Sequence, residues 1–191
     1  MSFDWNTHRN LKDKHAFLAA SNYHWINYND DKMLEAFGRM KAKEIGTRKH
    51  ALAAELIDMR IRMPDNDISL NRYVNDGIAF RMSTEQILYY SDYAFGTADA
   101  ISFRKKKLRI HDLKTGSIPA SLHQLEIYAA LFCLEYDYIP GDIDIELRLY
   151  QNDEIIKEEP GPEIILPIMD KIKHFTEVLD KIGGNRHEYI R

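Results

Sequence analysis

A chain of 191 residues, 45% hydrophobic and 29% charged, has the composition of an ordinary globular protein and the length for one domain with a sizeable core. It holds no run of eighteen apolar residues and no basic-then-apolar leader, so neither a membrane span nor export is expected, and the lone Cys133 excludes an internal disulfide and suits a reducing cytoplasm. A net charge of −4 works against a polyanionic partner, but residues 39–62 carry seven Lys/Arg against three Asp/Glu, and residues 135–163 carry two against ten.

Taken in order, residues 1–30 are rich in aromatic side chains, with a short helix expected from Leu11 to Ala20 and Tyr23, Trp25 and Tyr28 after it. Asn29-Asp30-Asp31 reads as the N-cap of a long helix in which Met33, Leu34, Phe37, Met40 and Ile45 keep helical spacing. Gly46 marks a break, after which the helix resumes through His50 to about Arg62 and stops before Pro64. Gly46, His50, Ala53, Ala54 and Ile57 share one face, and side chains that small let a helix approach a sheet closely. Glu55 lies five residues past His50, about 140° round the helix from it.

Ser69 caps a further helix reaching about residue 82, bearing Arg72 and Arg81, which read as solvated charges. Residues 86–90 are β-rich and should pair with a hairpin formed by residues 97–103 and 108–115. The turn between the hairpin strands carries five positive charges in the six residues 104–109. A helix over about 119–136 follows, with Pro119 near its start and Leu122, Leu125, Ala129, Phe132 and Tyr136 as its buried stripe. Gln124 and Tyr128 are i, i+4 neighbours beside that stripe, and His123 adjoins them. Residues 143–149 alternate as a strand, residues 155–156 make a short return, and Glu163 to Ile182 is a last helix closed by Gly183-Gly184 ahead of a loose polar tail. The order predicts an α/β fold, a mixed sheet with helices on both faces.

The chemistry concentrates on the hairpin. Strand side chains alternate, so Asp112 and Lys114 project to one side while Leu113 points into a core, and Asp99 stands on the partner strand. Two close carboxylates repel unless a cation lies between them, and carboxylate oxygens are the ligands that Mg²⁺ prefers. A hydrated divalent ion beside a lysine suits hydrolysis of a phosphodiester.

Gly96-x-x-Asp99-Ala100, then Asp112-Leu113-Lys114-Thr115-Gly116, then Gln124-x-x-x-Tyr128, preceded by Gly46-Thr47-x-x-His50, stand in that order within residues 45–135. The set resembles the PD-(D/E)xK nucleases, specifically the RecB-like and phage-type exonuclease branch. The resemblance implies a restriction-endonuclease-like core and a metal-dependent DNA nuclease, an exonuclease acting on ends or single strands in recombination, repair or phage DNA processing. It implies Mg²⁺ or Mn²⁺ held by His50, Asp99, Asp112 and the Leu113 carbonyl, with Asp99, Asp112 and Lys114 catalytic and Gln124 and Tyr128 against the substrate strand. Relatives commonly place a glutamate four residues after the histidine. Here Ala54 holds that position and Glu55 follows, which reads as an outer or salt-bridging residue. Arg104, Lys105, Lys106 and Lys107 read either as plain turn charges or as contacts to phosphate, and Trp25, with Tyr23 and Tyr28, either as core cover or as a stacking surface for bases.

One cysteine cannot hold the four-cysteine iron–sulfur cluster of some relatives, so no such cluster is expected. Helicase motifs are absent, which implies a helicase or single-strand-annealing partner for any unwinding, and the ring-shaped assemblies of related phage enzymes raise a homo-oligomer as an expectation. The resemblance also implies the cytoplasm of a prokaryotic or phage-infected cell and no membrane partner. The alternatives are a structure-specific endonuclease of the same fold, and a catalytically silent DNA- or protein-binding module. Against the silent module stands the intact Asp/Asp/Lys set.

Overall fold

A computed structural model of the chain describes residues 16–116 and 118–184, the side chains of residues 20–23, 183 and 184 excepted. The chain divides into two compact units, residues 1–45 and 46–191. In the first, Ala16–Ala19 form turn and irregular backbone, where a helix was expected, and a 3₁₀ helix spans Ala20–Asn27. Residues 11–15 of the expected helix lie outside the described residues, as does the tail over 185–191. Phe17 and Phe37 meet edge to face at 5.2 Å, and the Trp25 indole N–H donates to the Ala19 carbonyl at 3.0 Å.

Helix α1 (Asp30–Asp58) opens as expected, with Asn29 Oδ1 accepting the Lys32 backbone N–H at 2.9 Å. It runs through Gly46 without the expected break. Glycine is there for room, because a Cβ on Gly46 would lie 2.8 Å from Thr115 Oγ1. Beyond it Ala53 and Ile57 are buried. The helix stops four residues short of Arg62. Arg60 takes φ 56°, its N–H donates to the Ile57 carbonyl at 3.0 Å, and the Ile61 N–H reaches the Leu56 carbonyl at 2.9 Å, which is a Schellman end.

Helix α2 (Ser69–Ala79) follows, and Ser69 is its first residue, not its cap. The Ser69 hydroxyl is committed elsewhere: it accepts the Asp153 N–H at 2.8 Å while Asp153 Oδ1 accepts the Ser69 N–H at 2.9 Å. Five strands then form one mixed sheet in the order of the chain: β1 (Ser83–Ser91), β2 (Ala94–Arg104), β3 (Lys107–Leu113), β4 (Asp144–Gln151) and β5 (Glu154–Glu158). Neighbours are antiparallel except β3 and β4, which are parallel, so the chain must cross over between them. Helix α3 (His123–Glu135) makes that crossover, and helix α4 (Pro162–Gly184) packs beside it.

Alternation along the strands builds a core on each face. Leu108, Ile110, Leu147 and Leu149 pack with Leu125, Ala129 and Phe132 of α3 and Ile165 of α4. Ala100, Leu113 and Tyr150 pack on the other face with Ala53 and Ile57 of α1 and Tyr73 and Val74 of α2. The α/β class and mixed sheet therefore stand as expected. Helix α3 begins at His123, not near Pro119, because Gln151 ties the preceding residues Gly116, Ile118 and Ala120 to β4. Its amide donates to the Gly116 and Ile118 carbonyls at 2.7 Å each, and its Oε1 accepts the Ala120 N–H at 3.0 Å. Tyr136, expected in the buried stripe, is 48% exposed past the helix end. No helix among the described residues is long and apolar enough to cross a membrane.

Candidate active site

The hairpin register sets the site. Ala100 pairs with His111, so the next positions outward in the same register are Asp99 and Asp112. Pleating turns Asp112 to the α3 side of the sheet and Leu113, 2% exposed, into the opposite core. Although β3 ends at Leu113, the Lys114 N–H still donates to the Tyr150 carbonyl at 2.9 Å, which carries the alternation one residue further and returns the lysine to the side of Asp112.

Lys114 Nζ donates to Asp112 Oδ1 at 3.1 Å and lies 3.0 Å from Oδ2, and it donates again to Gln124 Oε1 at 2.8 Å. The Gln124 amide passes the contact on to Tyr128 Oη at 3.0 Å. Tyr128 in turn rests on Gly96, where a Cβ would lie 2.9 Å from its ring. On the far side of the acids, His50 Nδ1 lies 3.1 Å from Asp99 Oδ2, and the Leu113 N–H reaches the same oxygen at 3.4 Å. The six expected side chains thus form two bonded groups, Asp112–Lys114–Gln124–Tyr128 and His50–Asp99, joined through the Leu113 backbone N–H. Leu113, expected to lend its carbonyl, pairs in register with Tyr150 of β4.

Asp112 is 2% exposed, and burial raises its carboxyl pKa; the charge of Asp99 adds to the rise, while Lys114 and His50 oppose it. Its Oδ2 is buried without a well-aligned hydrogen bond. Hydrogen bonding to Asp99 raises the His50 imidazole above its ordinary value, against the effect of burial. Among the described residues no three His, Cys, Asp or Glu side chains are drawn together tightly enough to close a metal site as they stand. The donor types nevertheless fit a hard divalent ion: one Asp112 oxygen lacks a well-aligned hydrogen bond, Asp99 supplies a second carboxylate, and the His50 imidazole faces Asp99.

Other expected residues fall elsewhere. Glu55 is exposed on α1, enters no ion pair among the described residues, and is not part of the set. Lys107 is held by Glu146 at 3.1 Å and Glu159 at 3.2 Å, and Arg104, Lys105 and Lys106 are exposed at the opposite end of β3 from Asp112. The basic turn therefore does not line this site. Trp25 spends its indole N–H within the first unit, on Ala19. Arg72 lies 3.8 Å from the exposed Asp67, and His123 bonds Glu126 at 2.9 Å on the α3 surface.

Two residues that sequence reading passed over matter here. Tyr73, 3% exposed on α2 and packed edge to face on Tyr150 at 5.4 Å, has its hydroxyl pKa pushed well up by burial and then by the charges of Asp99, Asp112 and Glu85. Its place among the buried positions of α2 was the available signal. Gln151 fixes the loop after Gly116, and nothing in its local sequence marks it for that. No protein-family model matches this chain, and no curated protein matches it.

Proposed function

We infer that this chain is a metal-dependent DNA nuclease of the PD-(D/E)xK kind on a restriction-endonuclease-like core, an exonuclease working on ends or single strands. The observation that carries the reading is the doubly anchored Lys114, bonded at once to Asp112 at 3.1 Å and Gln124 at 2.8 Å, beside Asp99 and His50. An ammonium tied to one buried carboxylate and one neutral amide keeps a free donor direction, suited to an attacking water or to charge gathering on phosphoryl oxygens.

Asp112, Asp99 and His50 are the groups that would hold Mg²⁺ or Mn²⁺, which when bound lowers the pKa of water and offsets phosphoryl charge. Around that centre the protein's own work is positioning. Asp112 holds Lys114 in place, and Gln124 fixes the ammonium from the other side. Tyr128, seated on Gly96, orients Gln124 and offers a ring edge and hydroxyl to a nucleic acid strand. His50 would serve as a ligand in its neutral form.

The test is hydrolysis of end-labelled linear DNA and of covalently closed circles, with Mg²⁺, Mn²⁺ or EDTA. The native chain should shorten linear DNA, spare circles and stop in EDTA, and Lys114→Ala should fall by roughly 10²–10⁴-fold. Equal cleavage in EDTA, or no loss in Lys114→Ala, would overturn the reading, and prompt cutting of circles would turn it to an endonuclease.

A further inference from the structure

On the opposite face of β3 from Asp112, where the basic turn meets the end of α2, lies a cavity of about 510 Å³ that the proposed chemistry does not use. Phe80, Arg81, Arg104, Lys105, Lys107 and Arg109 line it, with Asp144 as the one carboxylate in the lining. The cations fall into two groups. Lys107 and Arg109 are fixed from behind by Glu146, at 3.1 and 3.3 Å, and Lys107 also by Glu159. Glu146, 3% exposed, also pairs with Arg148 and Lys157; burial pushes its carboxyl up, but Lys107, Arg148 and Lys157 together outweigh that and hold it down at about 2, so the anchor stays ionised at any working pH. Arg109 Nε lies 3.3 Å from Glu146 Oε1 without a well-aligned hydrogen bond, and its guanidinium lies 4.6 Å from the Phe80 ring.

Arg81, Arg104 and Lys105 form the second group. All three are exposed and enter no ion pair among the described residues. Counting the anchors, seven cationic side chains face four carboxylates (Asp76, Asp144, Glu146 and Glu159), in a chain whose net charge is −4. The local excess of positive charge is thus built against the trend of the whole sequence. Phe80, the one aromatic ring in the lining, already carries Arg109 at 4.6 Å and Arg148 at 4.8 Å, so it is not left to stack a base. Such a cavity recognises phosphate charge and reads nothing else.

We propose that this cavity grips backbone phosphates of a nucleic acid strand at a point away from cleavage, taking the class of substrate from the reading above. Lys107 and Asp112 are five residues apart on β3, about 17 Å, and the cavity opens on the other face. A strand engaging both in stacked form therefore spans about five nucleotides at 3.4 Å each.

The test uses Arg81→Asn/Arg104→Gln/Lys105→Asn, in which asparagine tolerates the positive φ of residues 81 and 105. Lys106→Asn, in the same turn but outside the lining, is the control. Binding of a labelled 30-nucleotide strand is followed by anisotropy in EDTA over a range of salt, so cleavage plays no part. The triple variant should bind about 10- to 100-fold more weakly, with the slope of log affinity against log salt reduced by about 2, and the control should stay within about 3-fold of native. With Mg²⁺, its KM on long strands should rise while hydrolysis of thymidine 5′-(p-nitrophenyl phosphate), which is too short to reach the cavity, is unchanged. Native-like affinity and slope in the triple variant, an equal loss in Lys106→Asn, or tight binding of inorganic phosphate or ATP without strand binding would each overturn the proposal. If the native chain cleaves nothing yet the triple variant still loses strand affinity, the grip stands and the nuclease reading falls.

Discussion

His50 and Asp99 face each other at 3.1 Å, with the side chains 30% and 19% exposed, so their attraction is only partly screened by water. The imidazole pKa is raised, first by its bond to Asp99. A group whose folded pKa lies above its unfolded value adds stability in full below the unfolded value, near 6.5, and loses it as pH rises through the folded one. Measured in EDTA, the melting temperatures of native chain and His50→Ala should therefore differ more at pH 5.5 than at pH 8.5. An exposed pair is worth at most about 1 kcal/mol, so the gap should widen by about 2–4 °C. A gap independent of pH would mean that the two groups do not share a proton. On the proposed reading the same titration would govern metal loading, since a protonated ring is no ligand.

At the level of elements, the chain divides labour between glycine and charged residues in an unusual way. Eight described non-glycine residues, among them Arg60, Arg81 and Asp137 just past helix ends and Lys105-Lys106 and Asn152-Asp153 in two hairpin turns, take positive φ, while no described glycine does. Glycine is kept for close approach instead, at Gly46 against Thr115, Gly77 against Ile57 and Gly96 against Tyr128. A left-handed L-residue costs roughly 1–2 kcal/mol, so Arg60→Gly should stabilise the chain by about 0.5–1 kcal/mol after the entropy of glycine is discounted, raising the melting temperature by about 2–4 °C with activity unchanged. A lower melting temperature would show that the Arg60 side chain holds something that this geometry does not require. The same habit explains what the sequence disclosed and what it hid. The hairpin, the alternation that brings Asp112 and Lys114 together, and the i, i+4 pair Gln124 and Tyr128 are local periodicities and were legible. Gly46 was misread as a break because glycine in a helix usually signals one, whereas here the reason is Thr115, far along the chain. Ser69 was misread as a cap because its true partner, Asp153, is 84 residues away. Gln151 and Tyr73 act only through tertiary contacts, which no window of sequence contains.

In the 46–191 unit the two cores meet the sheet from opposite sides, and the site lies where β3 runs out between them, so Asp112 is buried by the fold itself. That burial is a cost to the chain without a cation. Its carboxyl pKa is raised, first by burial and then by the charge of Asp99, so Asp112 favours folding below about pH 4 and the benefit disappears as pH climbs through the folded value. Like charges facing each other across a strand pair destabilise by up to about 1 kcal/mol, and Asp112→Asn removes one of them. In EDTA at pH 7.5 that variant should melt about 2–4 °C above the native chain. Mn²⁺ at a hundred times its dissociation constant should then stabilise the native chain by about 2.7 kcal/mol, roughly 5–10 °C, and Asp112→Asn by much less, so the order of melting temperatures reverses on loading. That crossing separates a metal site from a structural ion pair: Lys114 neutralising Asp112 for stability alone would make Asp112→Asn the less stable chain with or without Mn²⁺, and native melting indifferent to Mn²⁺ and Mg²⁺ would remove the metal from the mechanism altogether.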